Sequence, residues 1–275
     1  MPAVLALLSS LLWGSADFVG GLLTRRLPAY SVVAASQAAG LVATTLVALA
    51  TGAYRDDTGW IPWAILAGAS GSLGLVAFYA ALATGTMGVV SPIAALGAAV
   101  PVVAGIAAGE QPSTLALVGM VVALAGAVAA SGPELAGATG ARPVVLAVVA
   151  GAMFGLAMLS IARGAEHSTL MTLWGMRATS VSGFLVAALA VRTTGGLVVR
   201  DLAPLGAVGL GDAGANLMFA LASTQGLVSV TAVLGSLYPV VTVLLARLVL
   251  HERLLRVQQA GVAAALVGVA LLSLG

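Results

Sequence analysis

The chain has 275 residues, 61% of them hydrophobic and 7% charged, and its mean hydropathy is +1.14. A soluble domain carries roughly 25% charged residues, so this chain cannot cover a water-facing surface and must turn its outside to lipid; the same composition excludes disorder. The net charge of +2 comes from scattered arginines without a basic run, cysteine is absent, and the two histidines, His167 and His251, are not spaced as ligands. Nucleic-acid binding, a disulfide framework and a metal site therefore have no support.

A spanning helix needs about 20 mostly apolar residues, and the breaks between such runs divide the chain. The first predicted span runs from Pro2 to Leu23 and stops at Arg25-Arg26. No positive segment precedes it and the apolar run continues past Gly20, which favours a span over a signal peptide. The second covers Ala29 to Thr51 and the third Trp60 to Ala83, with Trp60 and Trp63 as interfacial anchors. The fourth covers Met87 to Ala108 and closes on Gly109-Glu110-Gln111-Pro112; the fifth covers Ser113 to Ala130. Residues 132–142, with three glycines, a proline and a threonine, read as a linker between units 1–131 and 143–275. The sixth to tenth spans cover Pro143 to Ile161, Ser168 to Val191, Leu202 to Ser223, Leu227 to Leu250 and Leu255 to Leu274.

The two halves look like copies. Gly88 to Val103, shifted by 138, matches Gly226 to Val241 at nine of sixteen positions, including Gly97/Gly235 and Pro101/Pro239. Further on, Glu110 pairs with Glu252, Gly119 with Gly261 and Gly126 with Gly268; upstream, Trp13-Gly14 aligns with Phe154-Gly155 and Gln37 with Arg177. Five spans per half, an odd number, set the second half upside down relative to the first. Inverted repeats with a site at their interface are a carrier design.

Two five-span repeats, each closing its fourth span with Gly-x-x-x-Pro and then an acidic residue before a Gly-rich fifth span, resemble the EamA-type transporters of the drug/metabolite transporter superfamily. The residues that carry the resemblance are Trp13-Gly14, Pro101, Gly109-Glu110, Arg177, Pro239, His251-Glu252-Arg253 and Gly261 to Gly268. It covers essentially the whole chain. The resemblance implies a carrier of ten helices, usually exporting amino acids, metabolites or drugs, with its cavity lined by spans one, three, four, six, eight and nine.

Charges inside the spans are the sharpest functional signal, because each costs a few kcal/mol or more at mid-depth. Asp17 lies in the first span, Asp212 and Asn216 on one face of the eighth, Arg177 in the seventh and Arg247 toward the end of the ninth. Asp17 or Asp212 would serve as a proton or cationic-substrate site, and Arg177 as an ion-pair partner or anion contact; Arg247 is within snorkelling reach of the interface. Trp13, Tyr79 and Tyr238 would form the apolar wall of the site, while Trp174 reads as ordinary packing. Pro101 and Pro239 are expected to kink their helices and free the carbonyls of Gly97 and Gly235. Glu110 and Glu252 read as acids at the start of the following helix.

Arginine placement favours external termini by the positive-inside rule, whereas the resemblance implies cytoplasmic ones. The expectation is an all-α integral membrane protein of the plasma membrane. It is a secondary carrier of a small molecule, coupled to protons or another ion, without cofactor. A membrane-embedded enzyme or sensor with a lipid-facing pocket is the alternative. No phosphate loop, His-Glu-x-x-His or nucleophile elbow supports catalysis.

Overall fold

The computed structural model describes residues 1–84, 90, 93–131, 141–191, 196–250 and 255–274. The predicted start of the fourth span at Met87, its repeat residues Gly88 and Ser91, most of the linker, and His251-Glu252-Arg253 lie outside the described residues. Every regular element described is helical: α1 (Pro2–Leu23), α2 (Ala29–Thr51), α3 (Ile61–Thr84), α4 (Ala99–Ala107), α5 (Thr114–Ser131), α6 (Ala141–Val191), α7 (Val199–Ser223), α8 (Val228–Gly235), α9 (Tyr238–Leu250) and α10 (Arg256–Leu274). Among the described residues, six helices are long and apolar enough to cross a membrane, and three apolar helices are shorter.

The ends of the helices follow local chemistry. Pro28, in an extended conformation, precedes α2, and Gly52 ends it with φ 75 while donating to the carbonyl of Ala48. Gly109, at φ 99, lets the chain turn after α4 so that the Glu110 amide reaches the Gly105 carbonyl at 3.0 Å. Between α2 and α3 the chain makes two short 3-10 turns, and Asp57 accepts from the Gly59 amide.

Three findings modify the predicted spans. The loop expected between the sixth and seventh spans is helical: α6 runs through it, broken only at Ser168, whose φ of −155 and ψ of 113 are not helical. The direction reverses there. Along α3, Gly74 lies on Met153 and Phe154 and Gly71 on Ala157, whereas Gly68 lies on Met176 and Thr179 and Gly175 on Ala64. One half of α6 therefore runs antiparallel to α3 and the other parallel, with Gly164 packed on Thr172 across the turn. The ninth span is also broken, into α8 and α9, with Ser236 and Leu237 between them. Finally, each proline stands just after an interruption of the α-helical ladder: Pro101 after the 3-10 turn at Leu96–Ala98 and Pro239 after the turn at Ser236 and Leu237, in the stretch that a proline's ring and missing amide disturb.

The packing is that of a membrane bundle, with small residues inside and large apolar ones outside. Val42, Leu46 and Leu49 of α2, Val121 of α5 and Leu185, Val186 and Leu189 of α6 are exposed to the lipid side, while the interior is dominated by alanine. Helices α5 and α10 cross antiparallel through glycines that the repeat aligns. Gly126 rests on Ala265 and Gly268 on Ala123, while Gly119 meets Leu272 and Gly261 meets Ala130. Gly14 of α1 similarly lies on Tyr238 and Val241, and its repeat counterpart Gly155 on Gly97 and Val100.

Candidate functional site

Asp212, halfway along α7, is the centre of a polar cluster. Arg177, from the second half of α6, donates through Nη1 to its Oδ2 at 2.7 Å. Trp13 Nε1 of α1 donates to Oδ1 at 3.1 Å, Gln37 Nε2 of α2 to Oδ2 at 3.4 Å, and Asn216 Nδ2 to Oδ1 at 3.1 Å. Arg177 Nη1 also donates to Gln37 Oε1. The pair is deep: the Arg177 side chain is 3% exposed and that of Asp212 16%. Gly40 makes room for it, since a Cβ there would lie 3.2 Å from Arg177 Nε. A buried pair in hydrocarbon persists only when such extra hydrogen bonds satisfy both ions.

Asp17 differs. Its only side-chain partner among the described residues is the Tyr79 hydroxyl, which donates to Oδ1 at 3.5 Å. No base among the described residues lies within salt-bridge distance. Tyr79 itself is 1% exposed and stands behind Asp17, packed on Gly20 and Phe78.

Both acids open on one cavity of about 90 Å³, which Trp13, Asp17, Gln37, Ser72, Phe154, Met158, Arg177, Ser180, Asp212, Asn216 and Tyr238 line with other residues. The cavity gathers α1, α2, α3, both halves of α6, α7 and α9. Several polar atoms around it are buried without a hydrogen-bond partner among the described residues: Nε and Nη2 of Arg177, Oγ of Ser72 and the hydroxyl of Tyr238. Buried polar groups are normally paired.

Of the residues singled out in the sequence, Trp13, Asp17, Arg177, Asp212, Asn216 and Tyr238 thus share one cavity. Tyr79 does not line it and touches it only through Asp17. Pro101 and Pro239 do not line it either. Arg247 is exposed on α9, and Trp174 donates to Thr45 at 3.0 Å and packs against Trp60. Gln37, Phe154 and Met158 are additions. For two of them the repeat carried the signal: Gln37 aligns with Arg177, which it contacts, and Phe154 aligns with Trp13, which lines the same cavity.

Glu110 departs from the expectation. Its carboxylate does not cap α5, the following helix; it accepts the amides of Val228 at 2.7 Å and Ser229 at 3.0 Å, the first turn of α8 in the other half of the chain. Its repeat partner Glu252 lies outside the described residues.

The model of the EamA-like transporter family matches residues 1–132 and 141–274. The chain belongs to the EamA-like transporter family. EamA proteins are transporters of the drug/metabolite superfamily, which makes this a multi-pass membrane protein of a transporter family. No curated protein matches the chain. A crystal structure of a protein with 19% identity superposes at a TM-score of 0.82, covering 99% of this EamA chain and 96% of its own; at that identity the likeness is one of fold.

Proposed function

We propose that this protein is a secondary carrier that moves a small metabolite across the plasma membrane, as an exporter, through the cavity between two inverted five-helix repeats of a ten-helix bundle, and that a proton on Asp17 couples the movement. The observation that carries the reading is the charge balance of the cavity. Its lining holds two carboxylates, Asp17 and Asp212, and one guanidinium, Arg177. Arg177 is committed to Asp212 at 2.7 Å. Asp17 is left over, and an uncompensated carboxylate at mid-membrane costs several kcal/mol. It must therefore hold a proton or a cationic group of the substrate. Exchange of one for the other at a single carboxylate is sufficient to couple two fluxes in opposite directions. Trp13 and Tyr238 provide aromatic surface, and the unpartnered atoms of Arg177, Ser72 and Tyr238 provide hydrogen bonds for the substrate's polar groups.

The experiment is flux in proteoliposomes under an imposed pH gradient, using a panel of radiolabelled amines and amino acids. The wild type accumulates at least one of them. Asp17→Asn abolishes the dependence on the gradient while exchange of solute for solute continues. Asp212→Asn, by contrast, strands Arg177 and lowers stability together with all flux. Gradient-driven accumulation by Asp17→Asn equal to wild type would remove Asp17 from the coupling.

A further inference from the structure

The central cavity, about 90 Å³, is well below the roughly 300–1,000 Å³ of ordinary ligand pockets. Ser72 of α3 and Ser180 of α6 line both it and a second space of about 650 Å³, bounded by α2, α3 and the second half of α6. That groove runs along residues 68–76 of α3 and 179–188 of α6, which at 1.5 Å per residue is about 13 Å of helix. Its wall is mostly apolar: among the described residues, hydroxyls come only from Tyr30, Ser31, Ser72, Thr179 and Ser180, and no charged residue lines it. Its flank meets hydrocarbon, since Leu73 is 61% exposed. Gly183 lines it with open space beside its Cα.

A small polar pocket that shares two serines with a long apolar furrow fits a molecule with a small polar end and a long apolar one. We infer that the carrier's substrates are single-chain amphiphiles whose amine head enters the cavity at Asp17 while the alkyl tail lies in the groove between α2, α3 and α6. The head contact rests on the function proposed above; the tail contact rests on the groove. A tail left in a lipid-facing furrow is never exposed to water, so the protein needs to solvate only the head while it crosses.

The test uses the purified carrier in phosphatidylcholine nanodiscs and dodecylamine bearing a terminal diazirine. After illumination, cross-links are mapped by mass spectrometry. The expected result is saturable labelling of α3 and of residues 179–188, displaced by unlabelled decylamine and not by decane. Gly183→Leu should reduce labelling about tenfold, ~1.4 kcal/mol on the scale of binding free energies. A Cβ at Gly183 meets nothing within 4 Å, so the side chain starts into open space, and the variant's folding is checked by monodisperse elution. Ala187→Phe serves as a second filler. Labelling that a headless alkyl diazirine or a tail-labelled phosphatidylcholine reproduces equally, and that neither filler reduces, overturns the groove site: bulk lipid alone occupies it. Saturable, head-dependent labelling that survives Asp17→Asn unchanged supports the groove and counts against Asp17 as the head contact, and so against the proposed function rather than the tail site.

Discussion

At the scale of single residues, the Arg177–Asp212 pair illustrates how an ion is kept in a membrane. Each ion alone is expensive there, and four groups from α1, α2, α6 and α7 converge on Asp212 to offset that cost. Arg177→Leu leaves Asp212 uncompensated and is expected to destabilise the protein by about 3–5 kcal/mol. Adding Asp212→Leu removes the stranded charge and should recover most of that loss, which thermal unfolding in detergent would show as strong coupling in a double-mutant cycle. Simple addition of the two losses would mean that the pair is not coupled. Gln37→Leu removes hydrogen bonds but no charge, and should cost only about 1–2 kcal/mol. The identities of these residues as candidates were legible because charges in apolar spans stand out. Their pairing was not. Gln37 and Arg177 are 140 positions apart, and which of two acids takes the one arginine depends on how four helices meet.

At the scale of elements, Glu110 fixes the start of α8 from the opposite half of the chain. The first turn of any helix has amides without intrahelical partners, and here the cap residue Leu227 makes no side-chain hydrogen bond. The carboxylate supplies both missing acceptors and favours the positive end of the helix dipole. Glu110→Ala should cost about 1–3 kcal/mol, and hydrogen exchange at Val228 and Ser229 should rise; unchanged exchange there would show that the cap contributes nothing. The α5–α10 crossing depends on close approach. A Cβ at Gly126 would lie 2.3 Å from the Ala265 backbone nitrogen, 2.7 Å from its Cα and 2.9 Å from the Ala264 carbonyl carbon, so Gly126→Leu must push the helices apart. Reduced melting temperature and loss of monodispersity are expected, whereas Gly183→Leu, with open space around it, should leave both near wild type. Glycine abundance was obvious in the sequence, but only contacts distinguish these two glycines.

At the scale of the whole molecule, the contacts sort the loops into two ends. Arg26 pairs with Asp201 at 2.9 Å, which joins the end of α1 to the start of α7. At the opposite end Ser168 donates to Asp56 at 2.5 Å and His167 lies 3.4 Å from Asp57. Because the chain has no cysteine, single cysteines report sidedness without background. Arg25→Cys and Arg200→Cys are expected to label from one face of the membrane, and Asp57→Cys and Glu166→Cys from the other. The arginine-rich face should be cytoplasmic by the positive-inside rule. Labelling of Arg25→Cys and Asp57→Cys from the same face would break the arrangement of α1, α2 and α3.

Hydrophobicity and its interruptions determined, from the sequence alone, that the chain lives in lipid and where most helices begin and end: α1 and α2 run between the predicted residues. This is a local matter, because in hydrocarbon each backbone must satisfy its own hydrogen bonds. The uncertain places were those where helix continues without enough local signal to stop it, as through residues 162–167 of α6, or stops despite apolar sequence, as at Ser236. In both, the decision lies with neighbours: Ser168 is turned by its bond to Asp56, and the break between α8 and α9 lies where Gly235 packs against Trp13, Met158 and Phe219. Tertiary structure alone decided that Asp212 is ion-paired and Asp17 is not, that Tyr79 supports an acid from behind, and that an apolar groove shares Ser72 and Ser180 with the polar cavity. Each depends on the distances between side chains of different helices, which apolar packing sets and no local pattern encodes.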